Sequence, residues 1–300
     1  MSTPDLGPPP RRVTVDAGRV RRLIGEQFPQ WADLPVRPVA TSGWDNVTFH
    51  VGDAMLARLP SAAEYALAVD KEHRWLPALA PRLPLSIPVP LAMGQPGADY
   101  PFVWSIYHWL PGSPARADLI ADPVRFALDL ADFLTALQAV DAAGGPRPGK
   151  HNWFRGDTLR TYDALTRRAL TTLDGHVDVS AVHRIWQAAL DAPWDGVDVW
   201  FHGDMAAGNL LLSGGVLTAV IDFGTCGVGD PSCDLAIAWT LLTADGRRAF
   251  RSRLSVDDTT WARGRGWALW KTLVACAQTV GRSDEEAEPA RRVLVDILAG

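Results

Sequence analysis

The sequence predicts an α+β protein with two unequal lobes, and three observations indicate this. Short apolar runs separated by turn residues, which are typical of antiparallel strands, occupy residues 36–110. Longer segments with apolar residues at helical spacing dominate after that region. Pro111-Gly112 stands between the two regions and favours a boundary there. We therefore expect a small N-terminal β-sheet lobe with a helix in residues 1–110, of which 1–12 are disordered, and a larger, mostly helical C-terminal lobe in residues 111–300.

The N-terminal lobe is predicted to contain two helices and five strands. Asp16 is typical of a helix-capping residue, and the apolar residues after it recur on one face. The second helix is predicted over residues 62–79 and ends near Pro81. The strands are predicted at residues 36–39, 47–51, 55–59, 87–93 and 101–110, with turns at 42–46 and around Gly52.

The C-terminal lobe is predicted to contain one hairpin among helices. Two short buried strands, at 210–212 and 217–221, flank the turn Ser213-Gly214-Gly215, which is a hairpin signal. Helices are predicted at residues 122–140, 158–173, 179–190, 233–243, 260–280 and 287–298.

Composition excludes some classes of protein. The formal net charge is −5, whereas a nucleic-acid-binding protein is expected to carry a basic face. No apolar run is long enough to span a bilayer, and the start of the sequence does not resemble a signal peptide. The three cysteines lack metal-ligand spacing and are interpreted as free thiols in a reducing compartment. We therefore expect a cytoplasmic protein without nucleic-acid or membrane partners.

Two polar clusters lie at the ends of the hairpin region. Asp204 follows an apolar run and precedes Asn209 by five residues, and Asp222 follows the second hairpin strand. The hairpin is expected to bring these three side chains together. Carboxylate and amide oxygens are the ligands that hard divalent cations prefer. The group suits phosphoryl transfer, in which an aspartate orients a hydroxyl and other oxygens hold the metal.

Each cluster alone is more often a plain turn or strand end, and only the joint pattern favours a site. A Gly-Asp-Pro turn at 229–231 belongs to that pattern. Asp234, just after it, is interpreted as a structural support that caps the helix at 235–242 and bonds to the loop carrying Asp204.

Taken together, these motifs resemble those of the aminoglycoside phosphotransferase family. They read HGDMAAGN at 202–209, IDFG at 221–224 and GDPSCDLA at 229–236, and SGWDN, ARLP, YPF and HWLPG precede them. The resemblance covers about residues 36–243 and implies a bilobal protein-kinase-like fold that uses ATP and Mg²⁺. It implies that Asp204 is catalytic, that Asn209 and Asp222 hold the metal, and that the backbone from His108 to Leu110 pairs with adenine. The turn at Ser42-Gly43 could lie over the phosphates, although one glycine in a hairpin is usually only a turn.

One position departs from the family pattern. The family commonly has a phosphate-binding lysine on a small-lobe strand, and none of the three lysines, Lys71, Lys150 and Lys271, lies on a predicted strand there. Arg58 occupies the matching position, and its guanidinium can bind phosphate through two N–H groups. Glu72 on the next helix is the expected partner of Arg58, with Glu64 less favoured. The alternative is that both residues are solvent-facing.

The acceptor pocket is harder to locate from the sequence. His151, Asn152, Arg155 and Asp157 follow a Gly- and Pro-rich loop and could line it, or they could cap the helix that begins near Thr158. The tryptophans at 261, 267 and 270 are interpreted as core packing, and the acidic run at 284–288 as a solvated helix start.

The sequence thus predicts an ATP-dependent phosphotransferase that moves the γ-phosphate to a hydroxyl of a small molecule, with an aminoglycoside or related antibiotic as one option. The alternatives are a kinase of another metabolite, such as a sugar or an amino alcohol, and a non-catalytic nucleotide-binding pseudokinase. A protein kinase is disfavoured because the chain lacks a GxGxxG loop and an HRD motif, and because the interval 223–234 is too short for an activation segment.

Overall fold

Five antiparallel strands form the sheet of the N-terminal lobe in the computed structural model, which describes residues 10–40, 43–194 and 196–300. The strands are β1 (Val36–Pro38), β2 (Asn46–Val51), β3 (Met55–Pro60), β4 (Pro90–Gly94) and β5 (Trp104–His108). Their order in the sheet is β1-β2-β3-β5-β4, and every neighbouring pair is antiparallel. All five predicted strands are found, but β4 and β5 are shorter than expected because prolines flank both segments.

Two helices accompany this sheet, as predicted. Helix α1 (Ala17–Gln27) begins at Asp16, whose carboxylate accepts a hydrogen bond from the backbone N–H of Arg19 at 2.7 Å. The apolar face of α1 packs on the sheet in a core that includes Val20, Leu23, Phe49 and Trp104. Helix α2 (Ala63–Leu79) contributes its last turns to the core of the other lobe, so it connects the two lobes.

The C-terminal lobe is mostly helical and contains two small sheets. Its helices are α3 (Pro123–Gln138), α4 (Asp163–Thr172), α5 (Val179–Asp191), α6 (Ile237–Thr240), α7 (Ala244–Leu254), α8 (Asp258–Gln278) and α9 (Asp284–Ala299). Its strands are β6 (Ser113–Pro114), β7 (Val199–Phe201), β8 (Leu210–Ser213), β9 (Val216–Val220) and β10 (Gly227–Gly229). Strands β6, β8 and β9 form one sheet and β7 pairs with β10. The architecture is therefore α+β, with a sheet lobe followed by a helical lobe.

The predicted helix at 233–243 is wrong in type and extent. The segment Pro231–Ala236 is a 3-10 helix capped by Asp230, and only Ile237–Thr240 is α-helical. Helix α7 was not predicted as a separate element. It begins where the Thr243 hydroxyl accepts a hydrogen bond from the Gly246 N–H, and it is polar apart from a few buried positions, so its apolar periodicity is weak. The predicted hairpin, by contrast, is confirmed as β8 and β9.

Helix α8 occupies the centre of the C-terminal lobe and is positioned by two glycines. A Cβ on Gly264 would lie 2.5 Å from Leu235, and one on Gly266 would lie 2.5 Å from the Cβ of Ala189. Because such contacts are too short for a side chain, glycine at these positions lets α8 approach its neighbours closely. Within the described ranges, no helix is both long and apolar enough to cross a membrane.

Candidate active site

The loop after β7 is held by a buried carboxylate. Asp234 accepts hydrogen bonds from the backbone N–H groups of His202, at 2.8 Å, and Gly203, at 2.7 Å. Burial raises the pKa of Asp234, although His202 and the two N–H donors oppose this. The expectation that Asp234 supports this loop agrees with the contacts, whereas the expectation that it caps a helix is wrong, because Asp230 accepts from the Ser232 N–H instead.

Gly203 and His202 give this loop its shape. Gly203 has a φ of 86°, and a Cβ there would lie 2.5 Å from the carbonyl oxygen of Thr225, so a larger residue does not fit. Nδ1 of His202 accepts from the Asp204 N–H at 3.2 Å, and Nε2 bonds to the Ile221 carbonyl oxygen at 2.9 Å. The loop therefore presents the Asp204 carboxylate, which is 40% exposed, from a fixed backbone.

The hairpin brings Asn209 and Asp222 beside this loop. The Ile221 N–H donates to the Asn209 carbonyl oxygen at 2.8 Å, which sets the ends of β8 and β9 side by side. Nδ2 of Asn209 donates to the backbone oxygen of Asp204 at 2.9 Å and to its carboxylate at 3.3 Å. Asp222 has a left-handed backbone, with φ at 66°, and its side chain is 35% exposed. The structure thus brings together the three residues predicted from the sequence.

The oxygens at this place fit a divalent cation. Because Nδ2 of Asn209 is used on Asp204, the amide oxygen Oδ1 is left to act as a ligand. One oxygen of Asp222 faces Arg58, and the other adds a second hard ligand. Two such ligands suit Mg²⁺, which usually completes its shell with phosphate oxygens and water.

Arg58 connects the sheet lobe to Asp222. Its Nη2 lies 2.6 Å from Oδ1 of Asp222, and its Nη1 lies 3.5 Å from Oε1 of Glu72. The Tyr107 hydroxyl donates to Oε2 of Glu72 at 2.5 Å and fixes that carboxylate. Burial alone would lower the pKa of Arg58, but the charges of Asp222 and Glu72 raise it. The Arg58–Glu72 pair is present as expected, without Glu64, and both side chains are largely buried rather than solvent-facing.

Lys71 forms a second connection between the lobes that the sequence reasoning missed. Its buried ammonium donates to the carbonyl oxygens of Gly224, at 2.7 Å, and Cys226, at 2.9 Å. Burial lowers the pKa of Lys71, and its position on a polar helix gave no signal of this role. His151 lies 3.3 Å from the same ammonium and bonds to the Arg147 carbonyl at 2.9 Å.

The contacts of His151 and Asn152 favour a structural role over the alternative that they line an acceptor pocket. Asn152 is fully buried, and its amide is used within its own turn, where it accepts from the Gly149 N–H at 2.9 Å and donates to the Arg155 carbonyl at 3.3 Å. His151 faces Lys71 at the contact between the lobes. These two side chains therefore hold the loop in place.

Lys271 on α8 reaches the predicted catalytic aspartate. Its ammonium lies 2.6 Å from Oδ1 of Asp204. Burial would raise the pKa of Asp204, but the charge and hydrogen bond of Lys271, with help from Arg155, hold it at about 2. The sequence did contain a signal, because Lys271 is the one charged residue between Gly266 and Gln278 in an otherwise apolar stretch.

Arg155 also lies near this aspartate, against three aromatic rings. These rings are Tyr162, Trp267 and Trp270. The predicted core packing of the two tryptophans is confirmed, since both are buried, but they also flank the guanidinium. The carboxylate of Asp157 accepts from the Thr158 N–H at 2.7 Å. The cap of the next helical turn is Thr158 itself, so the alternative that Asp157 caps it is wrong.

The remaining predicted nucleotide contacts lie in the sheet lobe. Ser42 is outside the described residues, and Gly43 is exposed just before β2. The His108 N–H bonds to the Val89 carbonyl at 3.5 Å, so its donor is already used. In the described part of the chain, no protein acceptor contacts the Leu110 N–H.

Asp45 is a further acidic group at this cleft that the sequence reasoning did not single out. Burial and the nearby charge of Asp222 raise its pKa to about 6, and Asp204 adds to the shift, while Arg58 opposes it. An aspartate in a turn does not by itself indicate a functional site. The charged residues that act on Asp45, such as Asp222 and Asp204, are distant from it in sequence.

Comparison with known proteins agrees with the sequence motifs. The profile of the phosphotransferase enzyme family matches residues 36–267. A search of curated protein sequences finds no match. Among solved structures, the GDP complex of a mutant aminoglycoside 2'-phosphotransferase-IIIa is similar, with a TM-score of 0.72 at 19% identity, over 95% of this chain and 98% of that one.

Two further structures show the same fold. The complex of APH(2")-IIia with GDP and kanamycin has a TM-score of 0.71 at 21% identity and covers 93% of this chain and 98% of its own. The macrolide 2'-phosphotransferase MphH from Brachybacterium faecium has a TM-score of 0.59 at 21% identity, over 93% of this chain and 97% of that one. At these identities the likeness establishes a kinase-like fold and leaves the acceptor to be argued from the site.

Proposed function

Because this chain belongs to the phosphotransferase enzyme family, whose members include small-molecule kinases, we propose that it transfers the γ-phosphate of ATP to a hydroxyl group of a small molecule. The N-terminal sheet lobe then binds the nucleotide, and the helical lobe supplies the reacting groups and the acceptor pocket. Phosphoryl transfer demands positioning and charge neutralisation more than covalent chemistry from the protein. The residues around Asp204 and Asp222 offer both.

One observation carries the proposal. Arg58 lies within 2.6 Å of Asp222 and 3.5 Å of Glu72, so a fixed positive group stands next to the oxygens that fit a metal. A guanidinium in this position can contact phosphate oxygens through its N–H groups. Arg58 then does the work for which the family commonly uses a lysine, and Glu72 with Tyr107 keeps it in place.

Mg²⁺, held by Asn209 and Asp222, would neutralise phosphate charge during transfer. Asp204 accepts a hydrogen bond from the acceptor hydroxyl and so aims its oxygen at the γ-phosphorus. The new oxygen–phosphorus bond forms as the bond to the β–γ bridging oxygen breaks. Because the pKa of Asp204 is held at about 2, its carboxylate is a weak base and takes the hydroxyl proton only as that oxygen bonds to phosphorus.

For the adenine base, we propose contacts from the segment between the lobes. The Leu110 N–H is the donor, and the carbonyl oxygen of His108 is the acceptor. The Gly43 turn is proposed to lie over the phosphates. One N–H donor and one carbonyl acceptor fit N1 and the 6-amino group of adenine, and they also fit O6 and N1–H of guanine, so GTP is the necessary comparison for ATP.

The test is a transfer assay with Mg²⁺ and either ATP or GTP over a panel of acceptors. The panel contains kanamycin, a macrolide, sugars, amino alcohols and hydroxy acids, and the readout is acceptor mass increased by one phosphoryl group. We expect at least one phosphorylated acceptor, and no product with Asp204→Asn. Magnesium-dependent ATP binding without product from any acceptor would instead indicate a nucleotide-binding pseudokinase.

A further inference from the structure

Lys71 is a buried charge that the proposed mechanism does not use. The residue lies on α2 and is 8% exposed. Its ammonium donates to the carbonyl oxygens of Gly224, at 2.7 Å, and Cys226, at 2.9 Å, and it forms no ion pair with a carboxylate of residues 10–40, 43–194 and 196–300. A cation removed from water without a counter-charge normally destabilises the folded state. Packing alone therefore does not explain a lysine at this position.

The three N–H groups of this ammonium have three fixed acceptors. His151 supplies the third, because its Nδ1 lies 3.3 Å from the ammonium and its Nε2 lies 2.9 Å from the Arg147 carbonyl oxygen. Since a carbonyl oxygen only accepts, Nε2 carries the hydrogen and Nδ1 accepts from Lys71. The other two acceptors belong to the loop between β9 and β10, residues 221–226. The ammonium therefore holds two segments of the helical lobe against α2.

The loop between β9 and β10 carries the predicted metal ligand Asp222. The φ of Asp222 is 66°, a conformation that is uncommon for residues other than glycine and that persists where neighbouring structure holds it. Before Asp222, the Ile221 N–H donates to the Asn209 carbonyl oxygen at 2.8 Å. After it, Lys71 binds the carbonyl oxygens of the second and fourth residues along the chain. The backbone is thus held on both sides of the ligand.

Glu72, the next residue on α2, supports the other charged group at this place. Its carboxylate lies 3.5 Å from Arg58, and Arg58 lies 2.6 Å from Asp222. Two consecutive residues of one helix therefore hold the proposed phosphate-binding arginine and the loop of the metal ligand. Helix α2 sets the position of these two groups relative to each other, and a metal-bound triphosphate has to contact both.

We propose that Lys71 is a positioning residue for the metal site. By binding the loop between β9 and β10, its ammonium holds the Asp222 carboxylate where it meets Mg²⁺ on the nucleotide phosphates. Lys71 acts through this loop and not on the ligand itself, because its three N–H groups are already bonded within the protein. This inference rests on the proposed kinase function and adds to it the residue that connects α2 to the metal ligand.

The test separates metal binding from nucleotide binding. The full-length protein is titrated calorimetrically with ATP at several concentrations of Mg²⁺, and with ATP in EDTA. Lys71→Met removes the ammonium and keeps a side chain of similar length. We expect the apparent Mg²⁺ affinity of the ATP complex to fall by roughly tenfold, as is common when a group behind a metal ligand is lost. The ATP affinity in EDTA should stay close to that of the unaltered protein, because Arg58 and Glu72 are unchanged.

Arg74→Met is the matched control, because Arg74 is an exposed cation on the same helix, with its guanidinium over the Trp75 ring. It should leave both titrations unchanged. Lys71→Gln keeps an amide donor on a shorter side chain, so its Mg²⁺ affinity should lie between those of Lys71→Met and the unaltered protein. If Lys71→Met does not fold, Lys71→Gln decides the question.

The outcomes distinguish this proposal from a general loosening of the fold. Equal Mg²⁺ affinity in the folded Lys71 variants and the unaltered protein would overturn the proposal. An equal loss of ATP affinity with Mg²⁺ and in EDTA, or the same loss in Arg74→Met, would also overturn it. If the unaltered protein does not bind ATP in the presence of Mg²⁺, the kinase function itself is wrong, so the two failures are separate.

Discussion

The ammonium of Lys271 lies 2.6 Å from Oδ1 of Asp204, although 67 residues separate them in the chain. Lys271 comes from α8, whose close approach depends on Gly264 and Gly266. A helix near the C-terminus therefore supplies a charge to the loop that follows β7. The contact keeps Asp204 ionised, which favours its action as an orienting hydrogen-bond acceptor rather than as a strong base.

Asp204→Asn is expected to remove transfer activity while nucleotide binding stays intact. An amide can still bond to the acceptor hydroxyl, but it has no negative charge to orient or accept the proton, so we expect kcat to fall by at least about a hundredfold. The affinity for Mg-ATP, measured by calorimetry, should remain close to that of the unaltered protein, because Asn209 and Asp222 are unchanged. Asp53→Asn, at a carboxylate that is 95% exposed in the sheet lobe, is the matched control. Undiminished turnover by Asp204→Asn would contradict the assigned role.

Asp222→Ala is expected to abolish the magnesium dependence of nucleotide binding. The substitution removes a carboxylate ligand, and Asn209 alone is a poor site for a hard cation. It also frees Arg58, which keeps Glu72 as its partner, so the fold should persist. The measurement is ATP affinity with and without Mg²⁺, together with the thermal unfolding midpoint. An unchanged difference between the two titrations would place the metal elsewhere.

How much of this site could be predicted from the sequence depends on how far apart in the chain the interacting residues lie. Asp204, Asn209 and Asp222 are joined by one hairpin, so local turn and strand signals were enough to place them together. Arg58 and Glu72 lie on consecutive elements, β3 and α2, and their pairing could also be predicted.

The contacts that the sequence could not predict join distant parts of the chain. Lys71 meets carbonyl groups 153 and 155 residues away, and a carbonyl group has no sequence signature at all. Arg58 reaches Asp222 across 164 residues, which only the packing of one lobe on the other decides. For the same reason the sequence leaves open whether His151 and Asn152 line the acceptor pocket or support the fold, because it does not show that Lys71 and a tight turn use their side chains.

Arg58→Ala is expected to weaken the use of ATP without removing the catalytic group. Loss of charged hydrogen bonds to phosphate predicts a change in kcat/KM of about 1–3 kcal/mol, or roughly 5- to 150-fold. Arg58→Lys tests the departure from the family pattern, because one ammonium replaces a fork of N–H donors. We expect it to retain more activity than Arg58→Ala. Steady-state kinetics with varied ATP make the comparison, with Arg37→Ala as the control at an exposed arginine. An unaltered kcat/KM in Arg58→Ala would show that another group contacts the phosphates.

Asp45→Asn is expected to stabilise the protein without ligand, and only at higher pH. The pKa of Asp45 is raised from 3.8 to about 6 by burial and by Asp222, so the folded protein keeps a proton that the unfolded chain has lost. The free energy of unfolding therefore falls as the pH rises from about 4 to 6, and this cost persists above 6. The amide carries no charge, so it should raise the free energy of unfolding by about 1–3 kcal/mol near pH 8 and leave it unchanged near pH 4. Urea unfolding at both pH values measures this, with the exposed Asp53→Asn as control, and an equal effect of Asp45→Asn at both pH values would show that packing rather than charge is responsible.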